Sequence, residues 1–170
     1  MGGRSGALPV PSRCRMTERS EPGVTLHGGG RDDARVIEVD IPSDVQYIEK
    51  VVELVQRECA LMKFGARQLM LNLAVALSEA LSNAILRGND DDPAKHVHVM
   101  ARVDNAMVVV EVVDEGQGFD IEECTLDPTT PDNVDREDGR GLFLMRKLMD
   151  RVERFDDARG NVVRLTLNRQ

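Results

Sequence analysis

The segment from residue 67 to 87, RQLMLNLAVALSEALSNAILR, is more apolar than the amphipathic helix pattern that precedes it. It follows a breaker at Gly65 and is closed by Gly88 and the turn sequence GNDDDP, so it predicts a helix between those limits. A helix that is apolar on nearly all sides needs cover on two sides, from a sheet beneath it and from another element above it. The chain is therefore expected to fold in layers around this helix.

Strand and helix patterns alternate around the apolar segment. RVIEVDIP (35–42) alternates as a strand does, and SDVQYIEKVVELVQREC follows, with Ser43 placed to cap an amphipathic helix. Two further strands, HVHVMARV (96–103) and MVVVEVVD (107–114), are separated by the turn sequence Asp-Asn-Ala. These patterns predict a strand, two helices and a hairpin in that order.

The remainder of the chain adds a loop, a helix and a strand. Residues 119–138 are polar and acidic, a long loop for a compact domain. LFLMRKLMDRVERF (142–155) predicts a third helix, and a glycine turn at Gly160 precedes the strand NVVRLTLN. The order predicts an α+β fold, a two-layer sandwich whose mostly antiparallel, mixed sheet carries its helices on one face.

Composition limits the organisation and the compartment. Residues 1–34 are rich in Gly, Arg, Ser and Pro, which predicts a disordered tail before a domain at 35–170. The three cysteines are widely separated and lack CxxC spacing, so neither a disulfide framework nor a zinc site is expected. No apolar run approaches the roughly 20 residues that span a bilayer, and the start lacks a secretory signal. We expect a soluble, cytoplasmic protein with no membrane partner.

The charge balance bears on the ligand. A formal net charge of -8 argues against an extended phosphate-binding surface, because nucleic-acid affinity comes mostly from clustered Lys and Arg. With no Trp, one Tyr and four Phe, the chain also has few rings on which bases stack. Direct nucleic-acid binding is not expected, although backbone N–H groups and a metal ion can still hold a phosphate ligand.

One polar stripe crosses the apolar helix. It consists of Asn72, Ala76, Glu79, Asn83 and Arg87, at helical spacings of three and four residues. Glu79 and Asn83 therefore point the same way. The stripe is either a solvated helix face or, if the helix is covered, a site in which a buried carboxylate needs a partner or a proton.

Two glycine clusters follow. In the first, Asp114 ends the most apolar strand, and Gly116 and Gly118 permit close backbone approach or turns. The second, GRGL at 139–142, begins the last helix, where free N–H groups and the helix dipole favour an anion. Either cluster alone is also compatible with an ordinary turn. Neither completes a GxGxxG dinucleotide fingerprint, and the chain contains no Walker lysine motif.

Taken together and in order, SEALSNAI, VVDEGQGFD and GRGLFLMRKLMD resemble the N box and the two glycine boxes of the GHKL ATPases. That superfamily includes the histidine kinases, gyrase B and MutL. The resemblance covers about residues 35–168 and implies the Bergerat ATP-binding fold. It is closest to the small anti-sigma factor serine/threonine kinases of the RsbW/SpoIIAB type, which share the phrasing NAILRGNDDDPAKHV and the single-domain format.

The resemblance implies a role for each polar side chain. Asn83 would coordinate Mg²⁺ through its side-chain carbonyl, a hard oxygen donor. Glu79 would be the general base that takes the proton of the attacking hydroxyl. Asp114 would accept a hydrogen bond from the exocyclic amine of adenine. The implied cofactors are ATP and Mg²⁺.

Further roles in nucleotide binding come from the same resemblance. Gly116 and Gly118 would let the backbone pass the base and ribose, and residues 125–138 would form a mobile lid. Thr166 is a weaker candidate for the adenine pocket. The phosphates would be held by backbone amides and a cationic contact at the start of the last helix, from Gly139, Arg140, Gly141 and Leu142. The chain departs from the family in having an acidic lid, and Arg87 where the family often has His.

Two functional hypotheses remain. The first is a serine/threonine protein kinase that uses Mg·ATP to phosphorylate a STAS-type anti-anti-sigma partner and otherwise sequesters a sigma factor, in a homodimer. The second is a nucleotide-gated, non-catalytic module that sequesters a partner. A histidine kinase fragment is set aside, because His27 lies in the predicted tail and His96 and His98 lie on a predicted strand.

Overall fold

The computed structural model describes residues 23–28, 34–117 and 140–170. Within that part, six strands form one sheet in the order β1-β2-β3-β4-β6-β5. The strands are β1 Gly23–Gly28, β2 Arg35–Pro42, β3 His96–Val103, β4 Met107–Asp114, β5 Arg151–Asp157 and β6 Gly160–Asn168. Every described pairing of neighbouring strands is antiparallel, so the predicted α+β class is confirmed without the parallel pairing of a mixed sheet.

In the described residues, three helices lie on one face of this sheet: α1 Ile48–Leu61, α2 Gln68–Gly88 and α3 Arg140–Leu148. Helix α2 is continuous, with an α-helical middle between two wider π-helical ends. Such π segments in helices frequently occur at functional sites.

The core lies between the helices and one face of the sheet. On β3 and β4 every second residue faces the helices, as the two-residue period of a strand requires. Helix α2 packs against this face with four apolar side chains at four-residue spacing. Each is 0% exposed: Leu73, Leu77, Leu81 and Ile85. Full burial of each such side chain contributes about 1.5–3 kcal/mol. This row fixes which face of α2 turns away from the sheet.

In the described part of the chain, α2 alone is long and apolar enough to cross a membrane by length and composition. It has 21 residues, and its most apolar window has a mean hydropathy of 1.6. The sequence prediction that no such run exists is therefore wrong. Part of this apolar surface packs inside the protein: 44% of the window is buried, where α2 contacts α1, α3 and the sheet.

Strand β1 corrects the prediction that residues 1–34 form a disordered tail. Its six residues pair with β2, with Val24 opposite Val39 and Thr25 opposite Glu38. The strand depends on hydrogen bonds offered by the edge of β2, a partner that a short GVTLHG segment does not reveal by itself. The other residues of the predicted tail lie outside the described residues, apart from residue 34.

Strand β5 corrects the predicted third helix at 142–155. Helix α3 ends at Leu148, and Arg151–Asp157 pairs with β6 as an antiparallel hairpin. The apolar residues Leu142, Met145, Met149 and Val152 keep helical spacing across this boundary, which explains the error. Pairing with β6 outweighs the local pattern.

The entrance to α1 also differs from the prediction. Ser43 does not cap the helix; it is 2% exposed and donates from Oγ to the Lys95 carbonyl at 3.0 Å. The cap is Asp44, whose Oδ1 accepts from Gln46 N at 2.9 Å ahead of a short 3₁₀ turn. Ser43 is thus a buried link between the end of β2 and the start of β3.

The predicted hairpin turn at residues 104–106 and the predicted glycine turn at Gly160 are both confirmed. Between β3 and β4, Asp104 Oδ1 accepts from Ala106 N at 2.7 Å and from Met107 N at 2.8 Å. Between β5 and β6, Gly160 has φ 138°, and a Cβ there would lie 2.1 Å from the Asp114 carbonyl oxygen. Only glycine combines that conformation with that approach, so this turn brings the start of β6 against the end of β4.

Candidate active site

A cavity of about 220 Å³ lies between α2 and α3. Glu79 and Asn83, one turn apart on α2, face it as predicted. The first turn of α3 closes it, because a Cβ on Gly141 would lie 2.8 Å from Glu79 Oε2 and 3.3 Å from Asn83 Nδ2. The lining residues are Glu79, Ser82, Asn83, Leu86, Arg87, Arg140, Gly141 and Leu144. The structure therefore brings four predicted site residues together, Glu79, Asn83, Arg140 and Gly141.

Asn72, on the same stripe of α2, sets the position of α3. Its Nδ2 donates to the Leu148 carbonyl at 2.6 Å, which satisfies an acceptor at the end of α3. Asn72 lies seven residues before Glu79, and Leu148 lies seven residues after Gly141. The two helices therefore run antiparallel. The distance from Asn72 to Glu79 along α2 and that from Gly141 to Leu148 along α3 are both roughly 10 Å. Anchoring α3 at Leu148 places its first turn against Glu79.

The cavity contains basic side chains although the chain is acidic. Among the described residues that line it, Arg87 and Arg140 lie together with the carboxylate of Glu79. The first turn of α3 adds backbone N–H groups without intrahelical partners and the positive end of its dipole. This combination favours a multiply charged anion such as a polyphosphate.

A second polar group lies at the C-terminal end of α2, beyond the cavity. Asp114, 5% exposed, accepts through Oδ1 from Gly116 N at 2.9 Å and from Asn161 Nδ2 at 2.8 Å. Asn161 Nδ2 also donates to the Gly116 carbonyl at 2.8 Å. A Cβ on Gly88, the last residue of α2, would lie 2.4 Å from Asp114 Cγ. The carboxylate is thus held between β6 and the end of the helix.

Thr166 is not brought to this site, so its predicted place in the adenine pocket is wrong. It pairs with Val109, five residues from Asp114 along β4. It also alternates with Leu165 and Leu167, which point into the core, so its side chain lies on the other face of the sheet. The residue that β6 supplies is Asn161, paired with Asp114, which the sequence reasoning missed. Asn161 can be identified only from the register of β4 against β6, which places it opposite Asp114.

The remaining predicted residues divide into two groups. Leu142 is partly buried against the core and is absent from the residues that line the cavity, where Leu144 lies instead. Gly118, Gly139 and the predicted lid at 125–138 lie outside the described residues, so their roles stay predictions.

The residues present fit a single magnesium ion held together with phosphate. The described residues contain no group of three or more His, Cys, Asp or Glu side chains that could hold a metal alone. Mg²⁺ in phosphoryl-transfer sites takes one or two protein oxygens and completes its shell with phosphate oxygens and water. The side chains of Asn83 and Glu79 both face the first turn of α3, and each can supply one such oxygen. At about 220 Å³ the cavity is smaller than a complete ligand pocket of about 300–1,000 Å³, and suits the phosphates alone.

Comparison with known proteins assigns the chain to a family. The sequence profile of the histidine kinase-like ATPase domain matches residues 41–167, most of the chain. The chain belongs to this family. The serine-protein kinase RsbW of Bacillus subtilis is 30% identical over 141 residues, which cover 80% of this chain and 87% of that protein.

Other relatives carry the same names. RsbW of Bacillus velezensis is 34% identical over 122 residues, 69% of this chain and 76% of the relative. An anti-sigma F factor of Clostridium beijerinckii is 27% identical over 100 residues, 58% of this chain and 69% of the relative. Together with the family match, these relatives confirm the predicted class of this histidine kinase-like ATPase domain, an ATP-dependent serine kinase of the anti-sigma factor type.

Proposed function

We propose that this protein binds Mg·ATP along α2, transfers the γ-phosphoryl group to a hydroxyl of a STAS-type anti-anti-sigma partner, and otherwise sequesters a sigma factor. The observation that carries the proposal is the convergence of Glu79, Asn83 and the first turn of α3 on one cavity. Phosphoryl transfer requires mainly positioning, a metal ligand, anion-stabilising groups and a base, and this cavity has a candidate for each.

The adenine base would lie at Asp114 and the phosphates in the cavity. Both described hydrogen bonds to the Asp114 carboxylate are accepted by Oδ1. Oδ2 would then accept from the exocyclic amine of adenine, and guanine, which has a carbonyl at that position, would be disfavoured. The Asn83 carbonyl would hold Mg²⁺, which when bound neutralises charge on the phosphate oxygens.

Glu79 would act on the substrate hydroxyl. Its carboxylate takes the hydroxyl proton as the oxygen attacks the γ-phosphorus, and the bond from that phosphorus to the bridging oxygen of ADP breaks. The phosphorylated partner and ADP are the products. Backbone N–H groups of α3 and the side chain of Arg140 would stabilise the charge that spreads over the transferred oxygens.

The partners follow from the relatives, whose names describe serine-protein kinases and anti-sigma factors. Because this chain spans 87% of the Bacillus subtilis RsbW, we extend both activities to it. We also propose a homodimer in the cytoplasm, as the family resemblance implies.

Incubation with Mg·ATP and a STAS-domain partner, followed by mapping of phosphorylated residues, tests the proposal. The expected result is one phosphate on a serine or threonine of the partner. Copurification of a sigma factor with and without Mg·ATP tests the sequestering role. Absence of transfer under conditions in which ATP binds would instead support the nucleotide-gated, non-catalytic module.

A further inference from the structure

Asn89 lies directly after α2 and is 0% exposed. Its Nδ2 donates to Ser43 Oγ at 2.7 Å and to the His96 carbonyl at 2.9 Å. Its Oδ1 accepts from the backbone N–H of Glu115 at 2.8 Å. Both amide hydrogens and the carbonyl are therefore used. This side chain joins the end of α2 to two strand ends and to the residue that follows Asp114.

A separate observation shows how closely the helix and this turn approach each other. A Cβ on Gly116 would lie 1.8 Å from the Gly88 carbonyl oxygen, and one on Gly88 would lie 2.4 Å from Asp114 Cγ. The turn formed by residues 114–116 therefore rests directly on the last residue of α2. Contact limits how near the two can come, whereas the Asn89 hydrogen bond to Glu115 keeps them from separating.

The turn has attachments on two sides. Asn161 attaches it to β6, through Asp114 Oδ1 and the Gly116 carbonyl. Asn89 attaches it to α2, the helix that carries Glu79 and Asn83. If Asn89 were removed, the turn would keep its attachment to the sheet and lose this hydrogen bond to the helix.

We propose that Asn89 is a positioning residue for the nucleotide, one that fixes the separation between the adenine-binding carboxylate of Asp114 and the metal-binding amide of Asn83. Asn89 lies six positions after Asn83, roughly 9 Å along a helix axis. One molecule of ATP must contact the Asp114 carboxylate and the Asn83 amide at the same time. If the turn moves away from the helix, the protein should lose adenine recognition while the phosphates stay bound. The inference rests on the proposed function, since it requires ATP at this site.

The test compares nucleotide affinities of two variants that each lose buried hydrogen bonds. Asn89→Ala removes the bond to Glu115, and ATP affinity should fall about 10- to 100-fold. Inosine triphosphate has a carbonyl in place of the exocyclic amine, so its affinity should change little and the preference for ATP should fall with it. Ser43→Ala is the matched control, because it removes the Asn89–Ser43 bond and leaves the Glu115 bond in place. It should keep the wild-type ATP preference.

Both affinities are measured by calorimetry at a temperature where each variant is folded. An unchanged ATP preference in Asn89→Ala overturns the inference, and so does an equal loss in Ser43→Ala, since general loosening would then be the cause. If Asn89→Ala does not fold, Asn89→Asp retains an acceptor for Glu115 N and should keep the ATP preference; its loss overturns the inference. A wild-type protein that does not bind Mg·ATP would overturn the proposed function itself. ATP preference that survives Asn89→Ala overturns only the role of Asn89.

Discussion

Gly141→Ala should leave the fold intact and impair phosphoryl transfer. The added methyl group would lie 2.8 Å from Glu79 Oε2 and 3.3 Å from Asn83 Nδ2, where ordinary contact begins at 3.4 Å. The Glu79 carboxylate must therefore move by about 0.6 Å to reach van der Waals distance. This atom is the end of a flexible side chain, so the movement costs little folding free energy. Alanine also suits a helix better than glycine, by up to about 1 kcal/mol.

The reaction should respond differently from the fold. A misplacement of about 1 Å can cost 10²-fold in rate, so a carboxylate displaced by more than half of that should lower the transfer rate about 10-fold or more. Single-turnover transfer from Mg·ATP to a STAS partner measures this rate, and urea unfolding measures stability.

Gly65→Ala provides the matched control, because the nearest atom to its new methyl group is Gln68 Oε1 at 3.9 Å. It should transfer phosphate at the wild-type rate. Wild-type transfer by Gly141→Ala would refute the placement of Glu79 beside the reacting hydroxyl. A loss of stability above about 2 kcal/mol in Gly141→Ala would show that the methyl group meets more than a flexible side chain.

Two predictions concern buried ionisable groups. Burial of Glu111 opposes its ionisation, but hydrogen bonds from Arg164 and Arg159 outweigh burial and hold its pKa below the usual 4.5. A depressed folded-state pKa stabilises the fold above the unfolded-state pKa, so the free energy of unfolding should decline as the pH falls below about 4.5, and less steeply in Glu111→Gln. Equal slopes in acid denaturation of the two proteins would contradict this. Burial, with a smaller effect of the Glu58 charge, raises the pKa of the Cys59 thiol to about 12. Iodoacetamide at pH 8 should therefore leave Cys59 unlabelled until the protein unfolds, and peptide mass spectrometry showing equal labelling rates in native and unfolded protein would reject the prediction.

Strong periodic patterns located most of the fold. The apolar segment 67–87 became helix Gln68–Gly88, and the hairpin and glycine turns lie where turn residues predicted them. Both missed strands depend on partners elsewhere in the chain. Strand β1 needs the edge of β2, and β5 continues a helical spacing that only pairing with β6 overrides.

The candidate site also has features that local sequence patterns predict and features that depend on distant contacts. Spacing along one helix is a local property, so it predicted that Glu79 and Asn83 face the same direction. The partners of Asp114 are not local: Asn161 lies 47 residues away on β6. Likewise, Asn89 reaches Glu115 across 26 residues. Such contacts follow from strand register and helix placement, which a single sequence does not specify.

If Glu79 takes the proton while Asn83 holds the metal, the Glu79→Ala variant should separate nucleotide binding from phosphoryl transfer. Its single-turnover transfer rate is measured at saturating Mg·ATP with a STAS partner, with Asn83→Ala as the variant that should lose Mg-dependent binding. We expect Glu79→Ala to bind Mg·ATP as the wild type does and to transfer phosphate about 10²- to 10⁴-fold more slowly. An unchanged transfer rate in Glu79→Ala would contradict this expectation.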